Sequence, residues 1–368
     1  MTFIDKLINS LNKTLNEVSK EFIETRKKLN FLANKLLGNE ILVLNIDRNI
    51  IEEIESIIGI DGSSSIIGSL GGFHLFAIVT SLVIIDKHFK NIQTKYPITI
   101  VEYVYDPTAS MVDKTIEEVM LGAETFTLSS IHGKNMVLID GPLIDPPHEV
   151  RIESLNKINK VLKIGIDNYH RWRASIIREL LDKGNIVVGI VKRIRSQGVV
   201  MKCLGIERNE FLNRYSDETL IAILFESVYR TKQCHNCAFI TKPCNILSDN
   251  AVVHYYRKVG IEILSSFVAI PPRLKPFRID IALNYDEELE HRSSKVLRYI
   301  SNVLSTVPPG HVLPLPTTLA HEKCSISYDA ILQLRRFLLS KLVKNMILNS
   351  NDITDMTEVS LHSDDQVY

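Results

Sequence analysis

Two short segments of this chain share one grammar: an apolar run that closes on an aspartate and is followed by glycine. The first is Gly59-Ile60-Asp61-Gly62-Ser63-Ser64-Ser65, behind Ile54, Ile57 and Ile58. The second is Val137-Leu138-Ile139-Asp140-Gly141-Pro142-Leu143. An aspartate at the end of an apolar segment, followed by Gly-Ser, reads as a carboxylate on a strand end at a tight turn. Glycine there lets a ligand approach the backbone without a Cβ clash. The hydroxyls of Ser63, Ser64 and Ser65 can bond phosphate oxygens, water or local backbone. The plainer reading is a hairpin turn, since Asp-Gly is a strong hairpin signal. The second copy of the pattern favours a site. If the two strands are neighbours, Asp61 and Asp140 meet at one sheet end, where open α/β sheets bind ligands.

Between them a helix over Met111–Leu128 carries Glu117, Glu118 and Glu124. Mg²⁺ and Mn²⁺ take oxygen ligands, usually one or two carboxylates with waters and phosphate oxygens. Packed acids repel unless a cation or a raised pKa neutralises them. The alternative for Glu117 and Glu118 is a solvated helix face. Lys192 follows a strand over Asn185–Val191 and can hold a phosphate or orient an attacking water. It equally belongs to the basic run Lys192-Arg193-Ile194-Arg195, which could track a DNA backbone. His321, at the start of a final helix over Thr318–Leu348, can serve as metal ligand or proton carrier, or as a cap.

The elements that must position these residues read as an α/β chain. Residues 1 to 38 form a helix whose Ile4, Leu7, Leu11, Leu15, Val18, Phe22, Leu29, Leu32 and Leu36 make one apolar stripe. Strands are expected at 41–46, 73–85, 98–105, 136–139, 185–191, 252–256, 264–270 and 277–283, and a short helix at 49–58. Residues 152–183 read as one helix or two, 207–241 as mostly polar-helical, and 286–304 as a helix. This predicts a mixed sheet with helices on it and an antiparallel start. Domain organisation follows as an N-terminal helical arm over 1–40, a core over 41–349 and an acidic, disordered tail over 350–368.

Lys plus Arg number 43 and Asp plus Glu 43, so the chain is neutral. That excludes a generally basic nucleic-acid coat and leaves room for a locally basic cleft. No apolar run reaches the ~18 to 20 residues of a membrane span, and the N-terminus lacks a signal peptide's apolar region. Five cysteines, an odd number, point to a reducing cytoplasm and not to a disulfide framework. Cys234 and Cys237 make half a zinc signal, but Cys244 stands without a close partner, so no zinc site is expected.

In order along the chain, these residues resemble the NurA family of archaeal and bacterial DNA-end-resection nucleases. The matching segments are Ile60-Asp61-Gly62-Ser63, the helix acid Glu118 or Glu117, Leu138-Ile139-Asp140-Gly141-Pro142-Leu143 and Pro314 to His321. Val191-Lys192 and Phe277-Arg278-Ile279-Asp280 look like two further family strands. Leu313 stands where the family often has Tyr. The resemblance implies an RNase H-like core and a Mn²⁺-dependent nuclease, with Mg²⁺ as the other candidate ion. The activities implied are 5′ to 3′ exonuclease and single-strand endonuclease on DNA. Also implied are a homodimer and a HerA-like hexameric ATPase as partner in recombinational repair. It places Asp61, Glu118, Asp140 and His321 on the metal, with Lys192 beside the phosphate. Two rivals are an actin-like or sugar-kinase-like ATPase, which the missing Walker A sequence disfavours, and an inactive dimeric adaptor of a motor ATPase.

Overall fold

The computed structural model describes residues 3–46, 54–194, 196–207, 211–234, 236–285 and 289–349. The expected tail, Arg195, His235 and residues 49–53 of the expected short helix lie outside them. In chain order the elements are α1 (Phe3–Leu36), β1 (Ile41–Asn45), β2 (Ser56–Leu70), β3 (Phe73–Asp86), β4 (Ile92–Lys95) and β5 (Thr99–Tyr105). There follow α2 (Val112–Ser129), β6 (Asn135–Asp140), α3 (Ile152–Leu162), α4 (Tyr169–Asp182), β7 (Ile186–Val191) and α5 (Val199–Cys203). The chain continues through α6 (Asp217–Lys232), β8 (Cys237–Thr241), α7 (Val253–Lys258), β9 (Ile261–Ala269) and β10 (Phe277–Asn284). It closes with α8 (Leu289–Ser305), α9 (Leu315–Cys324) and α10 (Tyr328–Asn349).

One ten-stranded mixed sheet holds the molecule together, in the order β1-β8-β9-β10-β7-β6-β2-β3-β4, with β5 also on β3. Among the strands described, only β2–β6 and β6–β7 pair in parallel. Their sequences explain the central position. Met136-Val137-Leu138-Ile139 and Ile186–Val191 are continuous apolar runs buried on both faces, as parallel strands covered by helices must be. Apolar clusters fill both faces, one around Ile139, Ala174 and Tyr256 and one around Leu138, Ile279 and Ile300.

Several expectations are corrected. Asp61-Gly62 is no turn: Asp61 lies inside the 15-residue β2, because β3 pairs with the strand on one side along nearly its whole length. The hairpin turn is Gly71-Gly72 instead, whose φ of 54° and 81° suit a two-residue connection. Residues 56–58, expected to be helical, open that same strand. Val252 to Tyr256 is helical: Val252 and Tyr256 are buried one turn apart, and this packing overrides local β preference. Cys237–Thr241 is a fully buried strand between β1 and β9. The final helix is two, α9 and α10. Cys203 pairs with Cys244 and Cys234 with Cys237 as disulfides, against the expectation of free thiols.

The N-terminal helix is not a free arm throughout. Leu29, Ala33 and Leu36 are buried with Leu224, Phe225 and Val228 of α6, and Arg26 Nη2 lies 2.7 Å from Glu226 Oε1. Its first six turns carry Phe3, Ile4, Leu7, Leu11, Leu15, Val18 and Phe22 exposed. Among the described residues no helix is long and apolar enough to cross a membrane.

Candidate metal centre

Strand register sets the first two residues side by side. In the parallel β2–β6 pair Ile60 lies opposite Ile139, so the next residues, Asp61 and Asp140, are neighbours at the C-terminal end of β6. Asp140 lies opposite Ile190 of β7. Strand side chains repeat every second residue, so Lys192 comes to the same face. Its Nζ lies 2.5 Å from Asp140 Oδ2.

Helix α9 closes this face. Gly59 precedes Asp61 by two residues, and a Cβ there would fall 2.1 Å from the Pro316 carbonyl oxygen. Ser81, opposite Asp61, donates to the Ala320 carbonyl at 2.7 Å. So seated, α9 carries His321 Nδ1 to 2.7 Å from Asp61 Oδ2 and 3.5 Å from Asp140 Oδ2. One ligand atom each from Asp61, Asp140 and His321 lies within 4.8 Å of the others, the sole such group of three or more among the described residues. His321 sits near the end of α9, not at the start of the last helix. The Asp61 carboxylate also accepts from the Gly62 backbone N–H at 2.8 Å. Burial, followed by the Asp140 charge, pushes Asp61 up to about 6, and the His321 contact pulls against this.

The helix acid beside this pair is Glu124. Helix α2 packs on the opposite face, where Thr127 and Thr80 hydroxyls meet at 2.8 Å. Gly62 points to that face, and a Cβ on it would lie 2.8 Å from Glu124 Oε1. Glu124 is 3% exposed and makes no hydrogen bond or ion pair among the described residues. Burial, then the charge of Asp61, holds its carboxyl well above the ordinary range. Glu118, six residues earlier, is not in the group: Arg151 Nε lies 3.2 Å from its Oε2 and His148 Nε2 3.4 Å from its Oε1. Glu117 is exposed. Sequence reasoning noted Glu124 without giving it a role. The available signal was an acid set directly after the apolar run Val119-Met120-Leu121-Gly122-Ala123.

Two supports flank the site. Arg278, opposite Val191 of β7, pairs with buried Asp280 at 2.8 and 2.9 Å, and Ser265 completes that carboxylate at 2.6 Å. Arg173, 1% exposed, donates to the Leu143 carbonyl and the Thr125 hydroxyl. Its charge moderates Asp145, which burial raises to about 6.

No curated protein matches the chain. Among solved structures, the NurA nuclease from Sulfolobus solfataricus is similar at 17% identity and TM-score 0.57, over 94% of this chain and 98% of that one. Endonuclease V from Bacillus subtilis aligns at 14% identity and TM-score 0.32, over 88% of this chain and 94% of that one. The sequence model of the NurA domain matches residues 55–323, a span that contains Asp61, Glu124, Asp140, Lys192 and His321. On that match, which covers well over half of its length, the chain belongs to the NurA domain family.

Proposed function

We propose that this chain is a divalent-cation-dependent nuclease, with DNA as its substrate and Mn²⁺ as its ion. The observation that carries the reading is the register that sets Asp61 beside Asp140, with His321 closing the group. The donor set fits such an ion. The two carboxylates suit Mn²⁺ or Mg²⁺, and the imidazole beside them disfavours Mg²⁺, which takes oxygen ligands. One ligand atom from each lies within 4.8 Å of the others, close enough for the three to share one ion. Glu124, buried against Gly62 on the other face of β2, is a further acid whose charge bears on Asp61.

A cation held there supplies Lewis-acid stabilisation of charge on a scissile phosphate. The side chains supply the rest. Asp61 and Asp140 would hold the ion, and the Gly62 N–H keeps Asp61 oriented. Lys192, now on Asp140, is placed to turn its ammonium to a phosphate oxygen. His321, with 63% of its side chain exposed, either joins them as a ligand or carries a proton on the rim.

The finer activities proposed with it are those that the family resemblance suggests: 5′ to 3′ exonuclease, single-strand endonuclease, and work with a HerA-like hexameric ATPase in recombinational repair. The homodimer has a second support in the exposed apolar stripe of α1. The deciding experiment incubates end-labelled single-stranded and duplex DNA with the protein in Mn²⁺, Mg²⁺ or EDTA. Cleavage in Mn²⁺ that EDTA removes is expected. Intact DNA in every condition, or hydrolysis of ATP alone, would sink the reading.

A further inference from the structure

Beside Lys192 a cavity of about 300 Å³ opens between the β9–β10 loop and the segment that leads into α9. Its walls include Lys192, Arg273, Lys275, His311, Leu313 and Thr318, and among the described residues no carboxylate lines it. Lys192 has Asp140 as counterion. Arg273 and Lys275 are exposed and make no ion pair among the described residues. Pro271, Pro272 and Pro276 bracket these two cations, and each ring fixes its own φ, so a stiff loop presents them. Buried Pro276 and Phe277 anchor the loop's far end. Such a pocket, with two cations that make no ion pair among the described residues, takes an anion. The planar Arg273 fork and the Lys275 ammonium suit phosphate oxygens. Leu313 adds an apolar wall that offers no hydrogen bond to a base.

We propose that this cavity binds a backbone phosphate of the strand being cut, next along the chain to the phosphate at the Asp61–Asp140 centre. Lys192 stands between the two, in contact with Asp140 and on the cavity wall. A space of this size admits a phosphate with its sugar and not a base pair, so the strand enters by its backbone. The inference rests on the nuclease reading for its substrate. An internal phosphodiester and a terminal phosphomonoester share the chemistry, and substrates with 5′-phosphate or 5′-hydroxyl ends separate them.

The test measures binding of the full-length protein to fluorescein-labelled single-stranded DNA by anisotropy in EDTA, across a salt series, and cleavage in Mn²⁺ alongside. The Arg273→Ala/Lys275→Ala variant should lose affinity about tenfold or more, the scale of one charge-assisted hydrogen bond. Its salt dependence should become shallower by about 0.7 in log–log slope, one phosphate's worth for a single strand. KM should rise with kcat unchanged, and Arg273→Lys should retain the slope. Both side chains are exposed, so an unchanged melting curve shows that the fold is intact. Loss that is equal on both kinds of 5′ end assigns an internal phosphate; loss only on the phosphorylated strand assigns the terminal one. Unchanged affinity and slope overturn the inference. A parent protein that binds the strand but never cuts it would defeat the nuclease reading and leave this site standing. A parent that does neither defeats both.

Discussion

Asp61 and Asp140 face each other because two parallel strands put them in adjacent register, and neither carries core packing. Asp61→Ala and Asp140→Asn should therefore abolish cleavage in Mn²⁺ while leaving the circular dichroism spectrum and melting point near those of the parent. Cleavage at the parental rate by both variants would leave the pair without a catalytic role. Lys192→Ala should slow cleavage by about 10²- to 10³-fold, with cation binding retained in calorimetry. The two helix acids make opposite predictions. Glu124→Gln should weaken Mn²⁺ binding, since the Glu124 charge bears on Asp61 from beside Gly62. Glu118→Gln should leave it unaltered, since Glu118 is engaged by Arg151 and His148; the reverse result would restore Glu118 to the metal. Asp145 gives a pH signature. Its folded pKa, raised by burial from 3.8 to about 6, lies above the unfolded value. Its contribution is thus fully present below about pH 4 and lost as pH rises through about 6. Two pK units correspond to about 3 kcal/mol. In EDTA, Asp145→Asn should flatten the decline of thermal stability over that window; a decline as steep as the parent's would place the titration elsewhere.

At the scale of elements, α9 is the piece that converts two strand aspartates into a closed group. Its seat is Gly59. A methyl at this position meets a backbone carbonyl at 2.1 Å, which no side-chain rotation relieves. Gly59→Ala should cost about 1 to 3 kcal/mol by overpacking and reduce cleavage by displacing His321. Gly62→Ala meets only the end of the Glu124 side chain, so it should perturb cation affinity more than melting temperature. Equal effects of the two substitutions on both readouts would argue against this division of roles.

For the whole molecule, α1 divides in two. Its last turns are built into the core beside α6, whereas Leu11 and Leu15 are 58% and 50% exposed on a continuous apolar face. This exposed apolar face is where the proposed second copy would dock. Leu11→Asp with Leu15→Asp should convert a dimer to a monomer in light scattering, with the core's melting transition unmoved. A parent protein that is already monomeric would remove the dimer from the reading.

Much of this was legible in one dimension. The repeated apolar-Asp-Gly pattern marked Asp61 and Asp140 because hydrophobic runs and acids are local signals. The continuous apolar runs of β6 and β7 announced strands buried on both faces. The order of motifs carried the family, which the match over residues 55–323 then showed. What the chain could not state locally was decided by packing. Asp-Gly-Ser is a turn signal in isolation, and only pairing with β3 draws it straight into β2. Val252 and Tyr256 favour strands by type, and only burial one turn apart makes them helical. Glu117, Glu118 and Glu124 look alike in sequence. Which of them reaches the centre depends on where α2 crosses β2 and on the space left by a glycine from another element, and both are set by contacts between residues distant in the chain.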